Sequence, residues 1–209
     1  MGQTRWWISR TRMVGWWQSG TLARALHGPV QATIHSSVQR LRTAVGSGTA
    51  TSGTVDAVLA DIRRTLPGTV LEGSVRGDIA ADLAGLVTMW KPLVMIDVVA
   101  ADSDVARLNT DLVCSEIAGD IVGEAVSNAV RHGEASRLQI TLEFMSERVL
   151  AIQVVDNGSG WQPRPKVRDE APGVGTAQLD KCALEWHFEP SSAGNRLWVE
   201  LPFHHSGER

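Results

Sequence analysis

The 209-residue chain has two cysteines, three phenylalanines and no tyrosine. Cys114 and Cys182 form no CxxC or Cys/His cluster, and no secretory apolar segment opens the chain. A disulfide framework and a cysteine metal site are therefore excluded, and both thiols read as small core residues of a protein in a reducing compartment. There is no excess of positive charge. A net charge of −3 gives no basis for nonspecific nucleic-acid binding. Long hydrophobic runs are also lacking. The longest, Ala84 to Ala101, is broken by Lys91, Pro92 and Asp97, short of the roughly 20 residues a spanning helix needs. These limits leave a soluble, cytoplasmic chain with enough length for one or two domains and a sizeable core.

Tryptophan is abundant instead. Four of the eight lie in Arg5-Trp6-Trp7 and Gly15-Trp16-Trp17-Gln18. An Arg/Trp-rich N-terminus suits a membrane interface or a place after a membrane-anchored segment absent from this chain, and equally a packing arm or dimer contact. Residues 1–19 show no clear period and are expected to be an irregular lead-in. From Thr21, Leu22, Leu26, Val30, Ile34, Val38, Leu41 and Val45 recur at helical steps. A Gly/Ser/Thr-rich loop, Gly46 to Gly53, then precedes a second stripe of Val55, Val58, Leu59, Ile62 and Leu66, closed by Pro67-Gly68. Residues 20–70 thus predict a helical hairpin, whose uncovered apolar stripe implies a homodimer joined as a four-helix bundle.

The second domain, 71–209, begins with a helix over Asp78 to Trp90, a strand over Leu93 to Val99 and a turn at Asp102-Ser103-Asp104. Its organising stretch is Glu116 to His132. On a helix, Glu116, Asp120, Glu124, Asn128 and His132 form one polar stripe. Ile117, Ile121, Val122, Val126 and Val130 fill the flank, while Gly119, Gly123 and Ser127 border the other side and permit close approach. Glu124 and His132 are then about 12 Å apart, a length that suits a metal-triphosphate unit. Two strands follow: Leu138 to Phe144 alternates with a wet face, and Leu150 to Val155, apolar on both faces, belongs at the sheet centre. After a loop, Trp161 to Pro172, and a short helix, Leu184 to Phe188 and Leu197 to Leu201 form a hairpin turning through Pro190 to Asn195. The fold class is α+β: a helical hairpin followed by an α/β sandwich.

Asp156-Asn157-Gly158-Ser159-Gly160 follows the central strand, and Gly173-Val174-Gly175-Thr176 opens the short helix. Together with Glu124-xxx-Asn128-xx-Arg131-His132, these boxes, in this order, resemble the nucleotide-binding boxes of the histidine-kinase-type ATPase superfamily (GHKL), which includes gyrase, heat-shock protein 90, MutL and the histidine kinases. The phrase NAVRHGEASRLQITLE is most similar to sensor histidine kinases that pair with NarL-type response regulators. The resemblance spans roughly residues 110 to 203.

That resemblance implies ATP and Mg²⁺ as cofactors. Asp156 would accept the adenine amino group, and Gly158 and Gly160 would let the backbone pass the base. Gly173, Val174 and Gly175 would offer N–H groups to the phosphates, with the Thr176 hydroxyl beside them. Asn128 would ligate Mg²⁺ through its carbonyl oxygen, Glu124 would orient the attacking group, and Arg131 and His132 would lie near the phosphates. Residues 161–172 occupy the place of a lid. His27, in Leu26-His27-Gly28-Pro29-Val30-Gln31, matches the phosphate-accepting histidine on the first hairpin helix, with His35 as fallback acceptor. A neutral imidazole offers the lone pair that attacks the γ-phosphorus. The acidic residue that normally follows this histidine is replaced by Gly28, and Ala32 stands where a Gln or His often supports phosphatase activity. The expected function is autophosphorylation of His27 and transfer to a response-regulator aspartate. Two other readings share the boxes: an anti-sigma-factor-type serine kinase, and a nucleotide-binding pseudokinase scaffold.

Overall fold

Asp111 starts the long central helix. Its side chain accepts the backbone N–H of Cys114 at 3.2 Å, the N-capping arrangement that satisfies one of the orphan donors of a first turn. In the computed structural model, which describes residues 3–19, 31–60, 78–91, 93–159 and 174–205, the helix runs Leu112–His132, with Gly133 as C-cap. The next residue, Glu134, takes the left-handed conformation, φ 52°, that turns the chain away.

In chain order the elements are α1 (Gln3–Ser19), α2 (Gln31–Gly46), α3 (52–60), α4 (Ile79–Trp90), β1 (Met95–Ala100), α5 (Asp102–Leu108), α6 (Leu112–His132), β2 (Arg137–Ser146), β3 (Val149–Asp156), α7 (Val174–Cys182), β4 (Glu185–Ser191) and β5 (Gly194–Pro202). The strands form one sheet in the order β1-β2-β3-β5-β4. β1 is parallel to β2, across the α5–α6 crossover, and the other pairs are antiparallel. β3 is central, as its apolar sequence requires. In β2 the expected alternation holds: Leu138, Ile140 and Leu142 are buried while Arg137, Gln139 and Glu143 are exposed.

Helices α4 and α6 cover the inner face. The α6 flank of Ile117, Ile121, Val122, Val126 and Val130 joins Ile79, Leu83 and Trp90 of α4 and the inward residues of β2, β3 and β5 in one core. Each such side chain contributes about 1.5–3 kcal/mol when fully buried. The chain is thus α+β, with a two-layer α/β sandwich after the N-terminal helices.

Two local expectations are corrected. Residues 3–19 are not irregular but helical. Trp6, Ser9, Arg10 and Met13 recur at three and four residue steps and face the sandwich, where Trp6, Ser9 and Met13 are buried. The stripe is hard to see in sequence because it includes a serine and an arginine, whose partners come from residues about a hundred positions away or more. Arg5 donates to Leu184 O at 2.8 Å, Trp6 Nε1 to Arg148 O at 2.9 Å, and Arg10 to Asp111. Asp102-Ser103-Asp104 is likewise the first turn of α5 and not a turn alone; two carboxylates there favour a helix N-terminus. The expected domain boundary at 70/71 lies outside the described residues. α2 and α3 are the described parts of the expected hairpin, joined by a turn at Ser47-Gly48.

Both cysteines are buried and free. Burial raises the Cys114 thiol well above its ordinary value, Asp111 raises it further, and Arg10 acts in opposition. A raised thiol stays protonated in the folded chain while the unfolded chain loses its proton past about pH 8.5. Its contribution to stability is therefore present below that pH and falls above it. We expect neither cysteine to react rapidly with a thiol reagent at pH 8 in the native protein, and both to react in urea. Rapid native labelling of Cys114 would contradict the packing described.

Candidate functional site

The last turns of α6 and the loop after β3 meet. Ser159 donates from its N–H to Gly133 O at 2.7 Å and from its hydroxyl to the same oxygen at 3.3 Å. Asn157 accepts from the N–H groups of Ser136 and Arg137 at 3.0 and 2.9 Å. These contacts hold the Asp156 loop against the end of α6, where Asn128, Arg131 and His132 lie.

Gly158 is required here for a reason the sequence did not reveal. A Cβ on it would stand 2.5 Å from Gly133 O, so the residue makes room for the helix terminus as well as for any ligand. Gly158→Ala should cost about 1–3 kcal/mol from overpacking, read as a lower urea midpoint, and should weaken nucleotide binding by displacing Asp156.

Asp156 itself is half-buried. Its Oδ1 accepts the Gly158 N–H at 2.7 Å and the Asn195 amide Nδ2 at 2.9 Å. A carboxylate can only accept, so two donors on one oxygen fix the group and leave Oδ2 for a further donor. Asn195 is 4% exposed, and its Oδ1 is a buried acceptor with no hydrogen-bond partner among the described residues. An amino group carries two donors. The pair therefore fits an adenine-type edge, while a carbonyl at that place would meet acceptors alone.

Asn195 was missed in sequence, where it fell in the expected turn Pro190 to Asn195. The turn is shorter, and β5 begins at Gly194. Asn195 pairs in register with Asp156. Gly194, at φ +134°, brings the two strands so close that a Cβ would lie 1.8 Å from Asp156 O. The Gly-Asn pair was the available signal, but its meaning depends on which strand lies alongside.

On α6, Asn128 Nδ2 donates to Glu124 Oε1 at 3.1 Å. The carboxylate requires the nitrogen of the amide, which directs the carbonyl oxygen elsewhere. An amide oxygen is a hard donor of the kind Mg²⁺ accepts beside water and phosphate oxygens. Among the described residues no group of three or more His, Cys, Asp or Glu could hold a metal by itself, so an ion here would rely on phosphate. Glu124, Asn128 and Arg131 are half-buried and His132 is exposed. Glu116, the first member of the polar stripe, accepts instead from Trp17 Nε1 at 2.7 Å and belongs to the α1 contact. Glu124, Asn128 and His132, the C-terminal half of the stripe, are the members near the Asp156 loop.

Val174 and Gly175 begin α7, and Thr176 is half-buried on it. Further along, Gln178 Nε2 is a buried donor with no partner among the described residues. His27, Gly160, Gly173 and residues 161–172 lie outside the described residues; His35 is on α2.

Similar folds occur among solved structures. The blue-light activated histidine kinase of Erythrobacter litoralis EL346 aligns over 83% of this chain and 58% of its own length, at 17% identity and a TM-score of 0.49. Its isolated histidine kinase domain aligns over 86% of this chain and 94% of its own, at 15% identity and a TM-score of 0.47. The ATP-binding domain of PrrB from Mycobacterium tuberculosis aligns over 60% and 93%, at 26% identity and a TM-score of 0.41. The first two are a histidine kinase and its kinase domain, and the third is an ATP-binding domain. The chain spans little more than half the length of the first. No protein-family model and no curated sequence matches the chain.

Proposed function

We propose that this chain is the cytoplasmic core of a two-component sensor histidine kinase that binds Mg-ATP, phosphorylates His27 and passes the phosphoryl group to an aspartate of a NarL-type response regulator. The observation that carries the reading is the fixed acceptor pair of Asp156 and Asn195 at the end of β3, adjoining a helix terminus that offers Glu124, Asn128, Arg131 and His132. The acceptor pair suits the base, and the amide oxygen of Asn128 suits a magnesium-bound triphosphate. Phosphoryl transfer needs little beyond such positioning and charge neutralisation. Glu124 would orient the attacking imidazole, and the N–H groups at the start of α7 would hold phosphate oxygens.

A homodimer through the hairpin is part of the proposal. Ile34, Val38 and Val45 on α2 and Val55 and Leu59 on α3 are 40–67% exposed, and a second copy would cover them. No helix among the described residues is long and apolar enough to cross a membrane.

Incubation with γ-labelled ATP and Mg²⁺ tests the reading. We expect acid-labile, base-stable label on the chain, lost on His27→Ala and retained on His35→Ala. Label confined to serine of an added partner would favour the anti-sigma-factor type of kinase, and nucleotide binding without any label would favour a scaffold.

A further inference from the structure

The two edges of the sheet differ. β4 carries Glu185, Glu189 and Pro190 in exposed positions, the charges and proline with which natural sheets deter pairing with another chain. β1 has no proline, no lysine and an unbroken register against β2. Its Met95, Val98 and Val99 are 61%, 39% and 49% exposed. The one charge of the strand, Asp97, is met within the chain by Arg137 at 2.9 Å. An edge of this kind is open to a further strand.

The ladder between β1 and β2 sets the direction of the backbone groups. Met95 N–H donates to Ser136 O at 3.0 Å, so the peptide groups of Met95, Asp97 and Val99 are turned toward β2. Those of Ile96, Val98 and Ala100 point the other way, where no further strand follows among the described residues.

We propose that a second copy of this chain pairs there, β1 against β1, antiparallel about a two-fold axis at Val98. Val98 then exchanges both bonds with its counterpart, and Ile96 does so with the partner's Ala100, about six N–H···O bonds in all. The register is self-complementary, as a two-fold contact requires. Like charges directly opposite would oppose such a pairing, but here Asp97 faces the partner's Val99. A foreign peptide would find no unmet charge on this edge to select it. Six residues a side fall short of the ~1,200 Å² that a stable interface buries, so the contact is weak and depends on concentration. It joins the two five-stranded sheets into one, and β2 stands between β1 and β3, so Asp156 is left untouched.

Residue-resolved hydrogen exchange of the full chain, at low and at high concentration, tests this. In a lone chain the N–H groups of Ile96, Val98 and Ala100 exchange fast, while those of Met95, Asp97 and Val99 are held by β2. Raising the concentration should slow the first three at least about tenfold, the protection given by a pairing formed nine-tenths of the time. Association through α2 and α3 alone would not do so. Val98→Lys sets two like charges together on the axis and should abolish the protection; Val99→Lys places a cation opposite the partner's Asp97 and should retain it. Slow exchange at Met95, Asp97 and Val99 shows that each variant is folded. Fast exchange of the outward amides at high concentration, equal protection at both concentrations, protection that survives Val98→Lys or protection lost in Val99→Lys would each overturn the proposal. Since the nucleotide site is not used, failure here would leave the kinase reading standing.

Discussion

Asp156→Asn is expected to lower the affinity for Mg-ATP at least about a hundredfold while leaving the fold intact. Oδ1 faces two donors, the Gly158 N–H and the Asn195 amide. An asparagine at 156 must keep its own oxygen there or lose both bonds. Its NH₂ is then forced into the place of Oδ2, where the proposed reading puts the adenine amino group. An acceptor becomes a donor opposed to another donor. Loss of a bond to a charged group costs about 1.5–3 kcal/mol, and an unpaired buried donor about 1–3 kcal/mol more; each 1.4 kcal/mol is tenfold. Discrimination against GTP should narrow as ATP binding falls. Calorimetry with ATP and GTP, with the urea midpoint as a control on folding, measures both. Wild-type ATP affinity in this variant would mean that the base is not read at Asp156, and the kinase reading would lose its support.

The parts of this site legible in sequence are those in which one element carries the whole pattern. Glu124 and Asn128 are four residues apart on one helix, so their contact follows from helical geometry alone. The five strands and the central place of β3 were legible because burial on one or both faces sets the apolar period. Asn195 and the α1 docking stripe were not legible. Asn195 acts on Asp156 across 39 positions of sequence, and its role exists only through a strand register. The α1 stripe consists of residues whose buried state depends on partners elsewhere: Ser9 bonds to Ala183 O, and Arg10 to Asp111. A polar residue reads as solvent-facing until its partner is known. The same limit applies to Gly158, whose neighbour Gly133 lies 25 positions earlier and is fixed by the end of another helix.

The N-terminal helix also supplies the second large effect: Arg10→Met should destabilise the protein by about 3–5 kcal/mol. Asp111 is a junction. Arg10 Nη1 and Nη2 bond its two oxygens at 2.6 and 2.9 Å, Cys114 N caps α6 on Oδ1, and His204 N donates to Oδ2 at 2.9 Å. The two side chains of the ion pair are 14% and 3% exposed. An exposed ion pair is worth 0–1 kcal/mol, but removing one member of a buried pair strands the other charge and costs several times that. Methionine fills much of the arginine's volume, so the loss reports charge and hydrogen bonding more than a cavity. Against the roughly 5–15 kcal/mol that holds a domain folded, this is a large fraction. Adding Asp111→Asn to Arg10→Met should recover part of the loss, since the stranded charge disappears while a capping oxygen stays. Urea unfolding of the single and double variants gives the coupling. A lower midpoint at unchanged slope means that α1 unfolds with the sandwich; a reduced slope means that α1 separates first and the two are distinct cooperative units. A loss below about 1 kcal/mol would show that α1 is a surface arm, and its contacts with Asp111, Glu116 and Leu184 would then contribute little to the framework that positions the proposed nucleotide site.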